Sequence, residues 1–187
     1  VSDEKAAART AAYVRRAAAH AQGRGAAASE YLRHFLGPYR GSVIAGYLPM
    51  KTEIDPLPAM KSLAEDGPVG VPVVVEPGLP LVFKRWTPGC TLIDGAFGTQ
   101  VPADGELLMP TVLIVPMLAY DPAFFRLGYG GGFYDRTLAA LREIGPVYAV
   151  GLAYESQLDR NLPIESHDQP LDAIVTEHGV LNRKCDA

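Results

Sequence analysis

Short apolar runs alternate with segments of helical spacing along these 187 residues. The apolar runs fall at 42–48, 69–75, 81–86, 111–120, 147–153 and 172–176, and several are apolar at nearly every position. Strands of that kind are covered on both faces, as in a parallel sheet between helical layers. Residues 3–21 are alanine-rich with scattered charge and predict a helix that Gly23-Arg-Gly25 breaks. A second helix is expected over about 26–36, closed by Gly37-Pro38. A third starts at Asp55-Pro56 and runs to Gly67-Pro68, and a fourth covers 134–144. Pro72 predicts an edge or a bulge in its strand, and Pro77-Gly78 a turn into the next. Residues 87–110, rich in Gly and Pro, predict a long loop. The expected fold is α/β, a three-layer sandwich with a mostly parallel, Rossmann-like sheet, in one domain over 1–187. Its ligand belongs at the carboxyl ends of the strands.

One segment stands apart from this pattern. After the run 111–120, the chain reads Arg126-Leu-Gly-Tyr-Gly-Gly-Gly-Phe-Tyr-Asp135, and the fourth helix begins there. A strand, a glycine loop and a helix start make a candidate anion site, because glycine lets backbone approach an oxyanion and the first helical N–H groups point at it. Arg126 brings a phosphate-binding guanidinium, and Asp135 brings a carboxylate that suits the metal accompanying a nucleotide. A P-loop is excluded, because Gly132 is followed by Phe133-Tyr134 and not by Lys-Ser or Lys-Thr. The dinucleotide fingerprint is excluded as well, because Phe133 stands where its third glycine or alanine belongs.

Charge and cysteine content narrow the class further. Formal net charge is −4, which leaves no basic field for nucleic acid, so positive groups for a polyanion must be gathered locally. Lys5, Arg9, Arg126 and Arg136 are the candidates, and Lys5 and Arg9 share a helix face at their spacing of four. The two cysteines, Cys90 and Cys185, are far apart and lack metal-ligand spacing, as in a reduced cytoplasmic protein. No apolar run reaches membrane-spanning length, and the first twenty residues, with Asp3 and Glu4, lack the apolar stretch of a secretory signal.

The central segment resembles the signature of the 5-formyltetrahydrofolate cyclo-ligase family, Arg-Leu-Gly-x-Gly-x-Gly-(Phe/Tyr)-Tyr-Asp-Arg. The resemblance extends to Lys5-Ala-Ala-Ala-Arg9, Tyr47-Leu-Pro-Met-Lys-Thr-Glu-Ile-Asp55, Pro163-x-Glu-x-His-Asp168 and Leu171-Asp-Ala-Ile-Val-Thr-Glu177. It implies an ATP- and Mg²⁺-dependent conversion of 5-formyltetrahydrofolate to 5,10-methenyltetrahydrofolate. Arg126 and Tyr134 are then the catalytic pair. Lys5, Arg9, Arg126, Leu127, Gly128, Tyr129, Gly130, Gly131, Gly132, Phe133 and Tyr134 bind ATP, and Asp135 and Asp172 hold magnesium. Glu53 faces the pterin end of the folate, Tyr47, Leu48 and Met50 wall it, and Phe97 and residues Tyr129 to Gly132 complete the substrate pocket. His167-Asp168 reads as structural. Some members carry arginine and lysine where this chain has Tyr129 and Gly131, so fewer charges face the phosphates. The expected partners are reduced folate and ATP, in a cytoplasmic monomer that uses neither nucleic acid nor membrane. Two other readings stay open, an ATP-dependent enzyme acting on another formylated or carboxylated small molecule and a non-catalytic nucleotide-binding module.

Overall fold

The computed structural model describes residues 3–183, so Cys185 lies outside the described residues. Eight strands form the main sheet in the order β12-β11-β10-β7-β1-β2-β3-β6. Five are parallel and central: β11 (Ala173–Thr176), β10 (Tyr148–Leu152), β7 (Val112–Pro116), β1 (Ile44–Ala45) and β2 (Val69–Val73). Antiparallel strands close both edges: β12 (Gly179–Asn182) on one side, β3 (Val82–Trp86) and β6 (Leu107–Leu108) on the other. The mostly parallel α/β sandwich expected from the apolar runs is present.

Alternate strand residues feed two cores. On one face Ile44, Val112, Ile114, Val150 and Val175 pack against Leu32 and Leu36 of α2 (Gly25–Phe35 and the turn after it) and Met60 and Leu63 of α3 (Leu57–Leu63). On the other, Ala45, Leu113, Val115, Ala149 and Ile174 meet Leu138 of α4 (Phe133–Ile144). All five residues of β7 are buried, which explains its unbroken apolar run. The chain leaves β1 and β7 for opposite faces, through α3 and α4, so a crevice opens where the strand order reverses.

Several expectations need correction. The run 42–48 yields only the two-residue β1, because Gly46 onward turns off into the crevice. Residues 87–110 are not a structureless loop. They hold a hairpin of β4 (Leu92–Asp94) and β5 (Gln100–Pro102), followed by β6. Pro72 sits inside the sheet by strand order. Yet the bonds Ile44 N–Pro68 O (3.1 Å) and Gly46 N–Gly70 O (2.9 Å) turn the even positions of β2 toward β1. Since β1 ends at Ala45, the missing Pro72 N–H costs no ladder bond.

Helix α1 (Asp3–Ala21) lies across the carboxyl end of this frame. Its buried stripe is Lys5, Ala12, Arg16 and Ala19, a spacing of seven, four and three. Ala12 packs on Leu118, Leu127 and Leu162. Among the described residues, no helix is long and apolar enough to cross a membrane.

Candidate active site

The chain leaves β7 through a small hairpin, β8 (Ala119–Tyr120) with β9 (Arg126–Leu127). Asp121 shapes its turn, with Oδ1 accepting from Ala123 N at 2.9 Å and Phe125 N at 2.8 Å. Residues 128–132 then lead into α4. Gly130 has φ 103° and Gly132 φ 63°, where a side chain is strained. A Cβ on Gly131 would meet the Phe133 ring at 2.6 Å. The loop folds over a cavity of about 380 Å³. Its walls combine the loop and the start of α4 with Lys5, Arg9, Arg126, Arg136, Glu165, His167 and Asp168. The first N–H groups of α4 have no helical partners, which makes this end receptive to an anion.

Charges in this cavity are interlocked. Lys5, 7% exposed, reaches Asp168 at 2.8 Å and Glu165 at 2.9 Å. Burial alone would lower its pKa, but the two carboxylates outweigh that and the pKa ends raised. The Lys5 hydrogen bond holds Glu165 below the usual carboxylate range. Arg9 Nε donates to the Gly128 carbonyl at 3.0 Å and so ties α1 to the loop. Arg126 is buried. It donates to Asp135 at 2.8 Å and to the Gln169 carbonyl at 2.6 Å. Burial lowers the Arg126 pKa, and the Asp135 charge opposes that shift. Asp135 Oδ1 also accepts from Gln169 N at 2.9 Å, so the acidic loop 165–169 is fastened to the start of α4.

A second cavity, of about 300 Å³, opens beside the first. Glu53 lines it with Ile54, Pro58, His20, Ser29 and Tyr154. Glu53 Oε2 accepts from Met50 N at 2.8 Å, and Oε1 accepts the Tyr129 hydroxyl. Burial pushes the Glu53 carboxyl above its ordinary value, with Tyr129, Met50 and Arg16 pulling the other way. Tyr129 is a residue of the glycine loop, so this bond ties the loop to the wall of the second cavity. The Tyr134 hydroxyl is buried without a hydrogen-bond partner, and burial raises its pKa. Tyr47 is in the core with its hydroxyl on Ile54 O at 2.7 Å, while Leu48 and Met50 are half-buried on the chain leading to Glu53.

The sequence matches the model of the 5-formyltetrahydrofolate cyclo-ligase family over residues 1–177. The chain belongs to that family. It is 34% identical over 140 residues to the 5-formyltetrahydrofolate cyclo-ligase of Escherichia coli, covering 71% of this chain and 76% of that one. The corresponding protein of Mycolicibacterium smegmatis is 33% identical over 160 residues, covering 79% and 81%. The NMR structure of Aquifex aeolicus 5,10-methenyltetrahydrofolate synthetase superposes with a TM-score of 0.79 at 28% identity, over 98% of this chain and 94% of that one. As a cyclo-ligase family member the protein is an enzyme.

Of the residues predicted for this cyclo-ligase, most meet at the two cavities. Lys5, Arg9, Arg126, Leu127, Gly128, Gly130, Gly131, Gly132 and Asp135 line the first, and Glu53 lines the second. Phe133 and Tyr134 open α4 directly beside them. Phe97 is 66% exposed at the tip of the β4–β5 hairpin, with its ring 5.9 Å from that of Phe133. Asp172 does not join Asp135. It binds Arg142 at 3.2 Å and Ala149 N at 2.7 Å, at the opposite end of α4 and at the start of β10. Seven residues of helix, about 10 Å, separate the two anchor points Asp135 and Arg142.

Asp168, read from sequence as structural, bonds Lys5 and Glu165 N and also lines the first cavity with Asp135 and Glu165. The Pro163-x-Glu-x-His-Asp168 segment carried that signal, since it places two carboxylates in a loop. Arg16 was missed outright. It is 2% exposed and donates to Thr52 Oγ1 at 3.0 Å, to Met117 O at 3.4 Å and to the Tyr129 hydroxyl. Nothing in an alanine-rich helix with scattered charge distinguishes it from its half-buried neighbour Arg15.

Proposed function

We propose that the protein converts 5-formyltetrahydrofolate to 5,10-methenyltetrahydrofolate, with ATP supplying the phosphoryl group. One observation carries this. A loop of four glycines and a helix start cover a cation-lined cavity, and a buried carboxylate stands one side chain away. The formyl oxygen is a poor leaving group. Transfer of the γ-phosphoryl group to it releases ADP, N10 of the folate attacks the activated carbon, and phosphate departs as the ring closes. The chain's task in such a transfer is alignment and charge stabilisation.

The residues divide accordingly. The loop N–H groups, Lys5 and Arg9 receive the triphosphate. Arg126 adds charge at the cavity wall and sets the Asp135 carboxylate. Glu53 accepts paired N–H donors from the pterin edge. The Tyr134 hydroxyl, unpartnered and buried, faces the charges of both Glu53 and Arg126, where it can orient phosphate or formyl oxygen.

Magnesium requires oxygen ligands, and Asp135 and Asp168 offer carboxylates to the same cavity. Those two line the cavity, whereas Asp172 lies outside its lining, beside Arg142. Bound there, the ion neutralises phosphate charge. The protein is further read as a cytoplasmic monomer, which gel filtration and cell fractionation test. An absorbance assay for the methenyl product, with ATP and Mg²⁺ each omitted in turn, tests the function. Turnover that persists without ATP overturns it.

A further inference from the structure

Helix α1 carries four cations or potential cations toward the two cavities. Lys5 and Arg9 line the first, His20 lines the second, and Arg16 lies between them. Fifteen residues of helix from Lys5 to His20 span about 22 Å, enough to bridge both cavities with one rigid element. Arg16 is the residue whose burial needs explaining. A guanidinium removed from water costs several kcal/mol unless it is paired. Thr52, Met117 O and the Tyr129 hydroxyl satisfy its N–H groups but bring no negative charge. The rings of Tyr13 and Tyr129 flank it, with centroids 5.7 Å and 5.5 Å from its Cζ. Among the described residues, the carboxylate in reach is Glu53, whose Oε1 is 3.8 Å from Nη1.

That separation is bridged by a hydroxyl. Arg16 Nη1 donates to the Tyr129 oxygen, and the Tyr129 O–H donates to Glu53 Oε1. The relay thus runs from α1 through the glycine loop to the floor of the second cavity. We propose that Arg16 is a positioning residue for folate: it holds Glu53 aimed into the second cavity, and it links that carboxylate to the loop through Tyr129. This rests on the function proposed above, and it assigns a role to a residue outside every motif that carries the family resemblance.

Other groups also face Glu53. His20 comes from α1 itself, Tyr47 and Asp55 from the chain after β1, Tyr129 and Tyr134 from the loop and α4, and Tyr154 from the segment after β10. Among these, Arg16 is the positive charge at ion-pair distance, while His20 bonds Tyr154 at 3.3 Å. Removing Arg16 leaves burial unopposed by that charge, so Glu53 takes up a proton at higher pH.

The test compares Arg16→Met, Arg16→Lys and Tyr129→Phe by titrating 5-formyltetrahydrofolate and Mg-ATP separately across pH. Arg16→Met is expected to weaken folate at least about tenfold, the scale of a lost charge-assisted bond, with Mg-ATP held within about twofold. The acid limb of folate binding should move upward, and Arg16→Lys should return it toward the wild type. A merely structural role lowers melting temperature without moving that limb. A folded Arg16→Met with the wild-type limb and affinity overturns the proposal. If Arg16→Met does not fold, Arg16→Gln, which keeps donors without the charge, takes its place with the same two outcomes; Tyr129→Phe, which also removes Glu53's own hydrogen bond, overturns the proposal if it leaves the limb unmoved. Wild-type protein that fails to bind folate contradicts the proposed function itself, a different outcome from normal folate binding with an indifferent Arg16.

Discussion

Gly130→Ala probes the loop most sharply. Gly130 holds φ 103°, beyond the left-handed well that an L-residue tolerates. Forcing alanine there costs about 1–2 kcal/mol, which lowers the melting temperature of a chain this size by roughly 3–6 °C. The new methyl also lies 3.4 Å from the Arg9 Cζ. That is at the edge of ordinary contact, so the flexible end of Arg9 gives by a few tenths of an ångström at most and keeps its bond to Gly128 O, the contact that ties α1 to the loop. The strain at Gly130 falls on the loop backbone, and misplacing its binding N–H groups by about 1 Å costs up to about a hundredfold in rate, so kcat/KM for ATP should fall roughly 10- to 100-fold while folate affinity changes little. Gly41→Ala is the matched control. Its φ of 85° carries a similar strain, the nearest atom to an added Cβ is Asp66 O at 3.9 Å, and it lines neither cavity. Scanning calorimetry and steady-state assays on both variants separate strain from function. Equal ATP parameters in the two variants, at equal loss of melting temperature, refute the loop's assignment to the nucleotide.

Four further outcomes are expected. Asp168→Asn should raise the magnesium needed for half-maximal activity about tenfold or more, whereas Asp172→Asn should lower stability by about 1–3 kcal/mol through Arg142 and leave the magnesium curve in place; a magnesium titration of each variant distinguishes them. Because burial raises the Glu53 pKa above 4.5, its charged form is lost as pH falls through a value higher than that of an exposed carboxyl; folate binding should weaken there first, and Glu53→Gln should bind poorly with no such limb. The same raised pKa favours the neutral carboxyl in the fold, so its stabilising share is present below pH 4.5 and is lost as pH rises through the raised value, which urea titrations across that window would register. Phe97→Ala, at an exposed hairpin tip, should change stability by less than about 0.5 kcal/mol, and a rise in folate KM in that variant would mark Phe97 as part of the substrate pocket.

The layers and the loop were legible from sequence because both follow short-range rules. Unbroken apolar runs such as 111–120 identify strands covered on both faces, and Gly128 to Gly132 at a helix start identify a backbone that must bend and approach closely. The antiparallel edges were not legible. Residues 107–108 and 179–182 are too short to show alternation, and their strand character comes from the partner each one pairs with. The separation of the two expected magnesium carboxylates was not legible for a related reason. Asp168 and Asp172 are four residues apart in sequence, but Asp168 lines the first cavity while Asp172 bonds Arg142 at the far end of α4. Arg16 shows the same limit from the other side. Its identity as a buried cation depends on Thr52, Met117 and Tyr129, which are 36, 101 and 113 residues away in the chain.

The claim on which the rest stands is that the glycine loop and its cationic walls take the triphosphate. Isothermal titration of Mg-ATP into the wild-type protein tests it directly. A saturable heat for one site per chain is predicted, absent or much weakened in Gly130→Ala. No heat from Mg-ATP, whether folate is present or absent, would contradict it.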